Sequence, residues 1–184
     1  IVKARRQWRR RQNRFDPNRL VFLDESGAKT NMTRLRGRAG RGKRVNAAAP
    51  CGRWASTTMI GSIRLDGTTT CMTIAGATDT EVFRAYVGEV LCPALQKGDI
   101  VIMDNLGAHK SAATLALIAA VGAEVLFLPA YSPEFNPIEK MWSKVKASLR
   151  SSEARTPDEL ETAIATAFEK VTPKNAAGWF ASCG

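Results

Sequence analysis

Two acidic residues close short apolar runs: Asp24 follows Leu20 to Leu23, and Asp104 follows Ile100 to Met103. Further along, Glu134 and Glu139 flank the stretch Phe135-Asn136-Pro137-Ile138. Carboxylates gathered from separate segments can hold hard divalent cations through oxygen. A pair of such cations can cleave or join phosphodiesters with no protein nucleophile. Each acid also has a plainer local role. An Asp at the end of a strand is commonly a turn former or helix cap. Asn136-Pro137-Ile138-Glu139 has the form of a helix start, with Asn136 as cap, Pro137 in the first turn and Glu139 reaching back to the cap amide. On local grounds that capping role is favoured for Glu139, and Glu134 competes with it as a third carboxylate. Other chemistries find few residues. His109 is the only histidine, so a Ser-His-Asp or Cys-His hydrolase would depend on it; read locally, it is a residue beside a helix start bonding backbone. Cys51, Cys71, Cys92 and Cys183 lie about 20 or more residues apart with no C-x-x-C pair, which argues against zinc and reads as reduced, mostly buried thiols.

The elements that must position these acids follow from hydrophobic periodicity. Residues 1–19 read as a basic arm or the tail of a helix, ended by Asp16-Pro17 because a residue before proline is pushed out of the helical region. Leu20 to Leu23 is a strand stopped at Asp24. Residues 55–65 and 68–76 are two more strands, joined at Asp66-Gly67 by a two-residue hairpin turn with both central residues at positive φ. Asp79 caps a helix carrying Phe83, Tyr86, Val87, Val90 and Leu91 at helical spacing, with Pro93 near its end. A strand before Asp104, a helix from about 110 to 120, a strand over 123–128 and a helix over about 137–150 follow. The last has an apolar stripe of Ile138, Trp142, Val145 and Leu149, which places Trp142 in the core. A final helix opens at the capping box Thr156-Pro157-Asp158-Glu159 and runs to Pro173. The order βββαβαβαα is that of an α/β, ribonuclease H-like fold: a mixed five-stranded sheet with helices on both faces. In such a sheet the first and fourth strands are neighbours, so Asp24 and Asp104 meet at one edge, where ligand sites of α/β sheets tend to lie.

Charge points to the partner. The net charge is +10, and it is unevenly placed. Residues 1–20 hold eight Lys/Arg against Asp16 alone, and residues 29–53 hold eight against no acid. The segment with Arg34, Arg36, Arg38, Arg41, Lys43 and Arg44, interspersed with glycines, is too long and polar to be mere connection. Such a segment suits a polyanion, since each neutralised phosphate releases counterions; the plainer reading is a solvated surface. Lys140 and Lys144, one helical turn apart, are further phosphate contacts or part of a solvated face. Trp8, among arginines, packs on DNA or on another domain. No stretch has the roughly 18 apolar residues of a membrane span, so a soluble, cytoplasmic protein is expected. The start at Ile1 inside a basic segment suggests a fragment, with residues 1–19 linking to an upstream DNA-binding region and residues 20–184 forming the catalytic domain.

The run Leu128-Pro129-Ala130-Tyr131-Ser132-Pro133-Glu134-Phe135-Asn136-Pro137-Ile138-Glu139-Lys140-Met141-Trp142 closely resembles the signature of the Tc/mariner superfamily of DDE transposases. In that superfamily the Glu after Asn-Pro-Ile is the third catalytic carboxylate. Residues 104–109, Asp-Asn-Leu-Gly-Ala-His, resemble its second-Asp motif, and 34 residues separate Asp104 from Glu139, as in its D-D-34-E members. Phe22-Leu23-Asp24-Glu25-Ser26 and the run from Thr30 to Arg38 resemble the bacterial insertion-sequence (IS-six-thirty type) branch.

The resemblance implies that Asp24, Asp104 and Glu139 are catalytic and hold two Mg²⁺ ions, with Mn²⁺ able to substitute. One ion would activate the attacking oxygen, first water and later the freed 3′-hydroxyl, and the other would stabilise the leaving oxygen. It also places Asn105 and His109 near the site, orienting a metal-bound water or a phosphate. The implied partners are double-stranded DNA, as transposon ends and as a TA-containing target, and a second copy of the chain. Another ribonuclease H-like nuclease, or a catalytically idle DNA-binding remnant, would share many of these features.

Overall fold

The computed structural model describes residues 1–184 as five strands and six helices. The strands are β1 (Leu20–Lys29), β2 (Ser56–Arg64), β3 (Thr69–Ala75), β4 (Ile100–Met103) and β5 (Glu124–Phe127). They form one sheet in the order β3-β2-β1-β4-β5. The first three pair antiparallel, and β1–β4 and β4–β5 pair parallel. The helices are α1 (Val2–Gln12), α2 (Thr80–Tyr86), α3 (Ala112–Ala120), α4 (Pro137–Ser152), α5 (Pro157–Glu169) and α6 (Pro173–Cys183). This is the mixed five-stranded, ribonuclease H-like architecture expected from the order of elements. No helix is long and apolar enough to cross a membrane.

Side chains alternate across a strand, and both faces of the sheet are covered. Leu20 and Phe22 of β1 and Ile102 of β4 pack with Met59, Ile138, Trp142, Val145, Leu160 and Phe180, on the face of α4, α5 and α6. Val21 and Leu23, with Val101 and Met103, point the other way onto Phe83, Tyr86, Leu91 and Ile118 of the α2–α3 side. The stripe on α4 is buried as expected, with Met141 added to it. Trp142 is 2% exposed and meets Phe168 edge-on at 5.9 Å. Its indole lies against Gly61, where an added Cβ would stand 3.0 Å from the ring and 2.9 Å from the Thr70 carbonyl.

Several boundaries differ from the periodicity reading. β1 does not stop at Asp24 but continues to Lys29, because its antiparallel ladder with β2 outlasts its parallel ladder with β4. The β2–β3 turn spans Leu65-Asp66-Gly67: the Arg64 amide bonds the Thr68 carbonyl at 2.9 Å, and only Gly67 takes a positive φ, of 87°. Asp66 instead accepts the Thr68 amide at 2.8 Å. The helical run after Asp79 widens into a π turn over Val87–Leu91. A sixth helix, α6, follows Pro173 under a second capping box, in which Thr172 and Asn175 bond each other's amides at 3.2 Å. Cys51 is exposed, Cys71 and Cys92 are half-buried, and only Cys183 is buried.

Helix α1 lies on the body of the domain. Trp8 is 7% exposed, within the α4–α6 core and 6.5 Å from the Phe15 ring. It therefore packs on this domain.

The two acids that bound β4 have different surroundings. Asp99, at its start, is 0% exposed; it accepts from Arg64 and, at 2.6 Å, from the Gln96 amide, with Arg19 at 3.9 Å. Burial alone would raise its carboxyl, yet Arg64 and the amide hold it below the ordinary range. A carboxylate with a lowered folded pKa contributes stability at neutral pH that is lost as the pH falls through that pKa. Arg64→Met leaves Asp99 buried and largely uncompensated, and is expected to cost about 3 kcal/mol at neutral pH, measured by urea unfolding. The deficit should shrink in acid, where Asp99 is neutral in both proteins.

Candidate active site

The other end of β4 is where the carboxylates gather. The parallel ladder pairs Leu20 with Ile100, Val21 with Val101 and Phe22 with Ile102. The same register sets Asp24 opposite Asp104, two positions past the last pair. Alternation puts both on the face of Phe22 and Ile102, toward α4. There Asp24, Asp104, Asn105, Asn136 and Glu139 line one cavity of ≈ 510 Å³, closed on one side by the loop from Pro129 to Pro133. Tyr131 stands at its rim, 85% exposed and with φ of 54°, a conformation that is strained for a tyrosine.

Glu139 and Glu134 take different paths. Asn136 occupies the cap position of α4 but makes no side-chain cap bond. Its amide group instead points to Asp24 Oδ2 at 3.5 Å, at the limit of a hydrogen bond, and its Oδ1 is buried without a partner. The capping box expected here is absent, in contrast to Thr156–Glu159 on α5, whose reciprocal bonds measure 3.2 and 3.1 Å. Glu139 is thus left exposed at the cavity. Glu134 does not line the cavity and pairs with Arg5 of α1.

Asp24 accepts the Glu25 amide at 2.8 Å. Burial pushes its carboxyl up to about 7, and nearby Glu139 and Asp104 push the same way against that amide bond. Asp104 is held low, chiefly by His109 and also by the Leu106 amide at 2.9 Å. His109 is 1% exposed, its ring stacked on Phe83 at 4.3 Å. Its Nδ1 lies 2.7 Å from Asp104 Oδ1 and its Nε2 3.6 Å from Glu25 Oε1. Neither contact has the alignment of a hydrogen bond, so both are best described as ion pairs. Burial works against charge on the ring, but Asp104 and Glu25 outweigh it and raise His109 to about 9. The two acids thus favour the charged form of His109, whose ring faces acids and not backbone. Asn105 donates to the Leu128 carbonyl, tying the loop after β4 to the end of β5. Glu25, which points to the α2 face, was not singled out from sequence. Its only sequence signal is its place next to Asp24 on a strand that continues.

The donor set suits a hard divalent cation: oxygen donors only, an Asp24 carboxyl raised by burial and then by its acidic neighbours, and an unpartnered Asn136 oxygen. As they stand, no three acidic, His or Cys side chains close around a single point. The Glu139 carboxylate enters no ion pair that would hold it back.

The basic residues fall into two groups. Arg34, Arg36, Arg38, Arg41, Lys43 and Arg44 are all exposed in the long segment between β1 and β2, and none forms an ion pair. Lys140 donates to Ser182 of α6, and Lys144 to Asn175 and, at 2.5 Å, to the Lys170 carbonyl. These two lysines tie α4 to its helical neighbours.

An acid with a raised folded pKa favours the folded state below its ordinary pKa and loses that advantage as the pH rises through the folded value, here about 7. Asp24→Asn should therefore stabilise the metal-free protein at about pH 8 by ~1–2 kcal/mol, after allowance for partial solvent screening. At about pH 3 the two proteins should unfold at the same urea concentration.

The fold agrees with what the chain resembles. By structure it matches the Mos1 transposase paired-end complex with left transposon end, at TM-score 0.76 and 16% identity, covering 99% of this chain and 57% of that one. It matches the Mos1 strand transfer complex at 0.73 and 15%, covering 98% and 56%. It matches the Mos1 mariner paired-end complex with Mn at 0.72 and 16%, covering 99% and 57%. The chain thus spans little more than half the length of these transposase chains. Compared by sequence with curated proteins, it matches none. The family model for the DDE superfamily endonuclease matches residues 19–161, and the chain belongs to that superfamily.

Proposed function

We propose that the chain is the catalytic unit of a DNA transposase of the Tc/mariner superfamily, bacterial insertion-sequence (IS-six-thirty type) branch. It would hydrolyse phosphodiesters at transposon ends and transfer the freed 3′-hydroxyl into target DNA at TA dinucleotides. The observation that carries this reading is the shared cavity of Asp24, Asp104 and Glu139, from which Glu134 is drawn away. Asp24, Asp104 and Glu139 would hold two Mg²⁺ or Mn²⁺ ions, which when bound supply Lewis-acid charge to the attacking and leaving oxygens.

The protein's own part is preorganisation. Asp24 sits within β1 just past the end of its ladder with β4, Asp104 directly follows β4, and Glu139 is on the first turn of a well-packed helix, as a site of fixed geometry requires. His109 fixes Asp104 from behind and offsets part of the negative charge. Asn136 orients Asp24, and Asn105 holds the loop after β4. The exposed cations from Arg34 to Arg44 would track DNA phosphates. Residues 20–184 would form the catalytic domain, with residues 1–19 as its basic arm. Two copies would act on paired ends, in the cytoplasm beside the nucleoid.

Asp24→Asn, Asp104→Asn and Glu139→Gln should each lower Mg²⁺-dependent joining of end DNA to a plasmid by at least about a hundredfold. Duplex binding in a gel-shift assay should survive. Wild-type joining by any of the three would remove that residue from the site, and nicks without joined molecules would mark a nuclease instead. Salt-dependent binding with neither product, under Mn²⁺ and on cognate ends, would mark an idle DNA-binding module.

A further inference from the structure

The basic helix α1 touches the loop that delivers Glu139. Trp8 is its only buried residue, and beside it lies an apolar cavity of ≈ 480 Å³ whose walls include Phe22, Ile102, Phe135 and Phe180. Phe22 and Ile102 stand two residues before Asp24 and Asp104. The helix is thus seated by one aromatic anchor next to open space, and its other contacts count for more. Two of them fall on consecutive residues: Arg5 pairs with Glu134, and the Arg9 guanidinium lies 5.4 Å above the Phe135 ring. Glu134 and Phe135 belong to the single helical turn Pro133–Phe135, which runs directly into Asn136 and α4. Phe135 is 4% exposed, so any movement of that turn is passed on through packed atoms. Asn136, the next residue, reaches Asp24, and Glu139 follows one turn on.

We propose that Arg5 and Arg9 are positioning residues: by clamping Glu134 and Phe135 they set Asn136 and Glu139 against Asp24, so that docking of α1 and assembly of the carboxylate site are coupled. The proposal rests on the metal-site reading above. Arg5 and Glu134 are each 39% exposed, and a pair so placed contributes little to global stability. A purely structural role therefore predicts almost no effect of breaking it. A positioning role predicts weaker ion binding with little change in melting.

The test is Mn²⁺ affinity of the full chain without DNA, followed by electron paramagnetic resonance of the free ion, for Arg5→Glu, Glu134→Arg and the double reversal. Asp24→Asn serves as control, and melting is followed by circular dichroism. Both single reversals should weaken Mn²⁺ binding, by about fivefold or more, and the double reversal should return it to within about twofold of wild type. Charge alone predicts otherwise: an added acid at position 5 would tighten binding and an added base at 134 would loosen it. Opposite shifts in the two variants, or no shift in either while Asp24→Asn binds poorly, would overturn the proposal. Loss in both singles without recovery in the double would also overturn it. Wild-type affinity in Asp24→Asn would instead overturn the metal-site reading itself, and the clamp with it. The neutral Arg5→Gln variant, which places no like charges together, should also bind Mn²⁺ more weakly, and wild-type affinity there would again overturn the clamp.

Discussion

Carboxylates that repel one another are held at the point where a parallel ladder ends. β1 and β4 pair through Phe22 and Ile102 and then part, and the next residues on the same face are Asp24 and Asp104. Bringing like charges together at a buried point is unfavourable without a cation between them. The cost appears in Asp24, whose carboxyl rises to about 7 through burial and the nearness of Glu139 and Asp104. The apolar residues behind the site, Phe22, Ile102, Ile138, Met141 and Trp142 among them, hold the strands and α4 in place despite it. Stability is given up at a few atoms, where divalent charge would be welcome, and recovered over a large core.

The two faces of the sheet divide the remaining work. On the α4 face are the carboxylates that would meet ions. On the α2 face, one residue along β1, Glu25 meets His109, and the stacked Phe83 ring keeps that imidazole buried. Asp104 is thus approached from behind by the His109 ring while its front is open to the cavity. At the opposite end of β4, Asp99 is tied to Arg64 and buried completely. The same residue type at the two ends of one four-residue strand has different surroundings: a guanidinium and full burial for Asp99, a single histidine and open space for Asp104.

Much of this was legible from sequence. Strand order, the neighbouring of β1 and β4, and the meeting of Asp24 with Asp104 follow from periodicity and chain order. Local rules and the tertiary structure part company at several residues. Asn136 and Glu139 have the composition of a capping box, yet Asn136 turns to Asp24 and the box does not form. Spacing alone does not separate Glu134 from Glu139; in the structure Glu134 pairs with Arg5, 129 positions away, while Glu139 lines the cavity. Lys140 and Lys144 sit on a polar face by helical periodicity, but α6 covers part of it, and the start of α6 is hard to read from sequence because its capping box uses Asn175 where Glu or Gln is usual. Trp8 and His109 were ambiguous for the same reason: a lone aromatic among arginines and a lone histidine each find their partners only through the fold.

The central claim is that Asp24, Asp104 and Glu139 form one metal centre. Anomalous diffraction at the manganese edge, from crystals of the protein soaked in Mn²⁺, tests it directly. Two peaks about 3.5–4 Å apart, within coordination distance of all three carboxylates, are the predicted result. Peaks that involve Glu134 in place of Glu139, or that lie away from the end of the β1–β4 ladder, would contradict it.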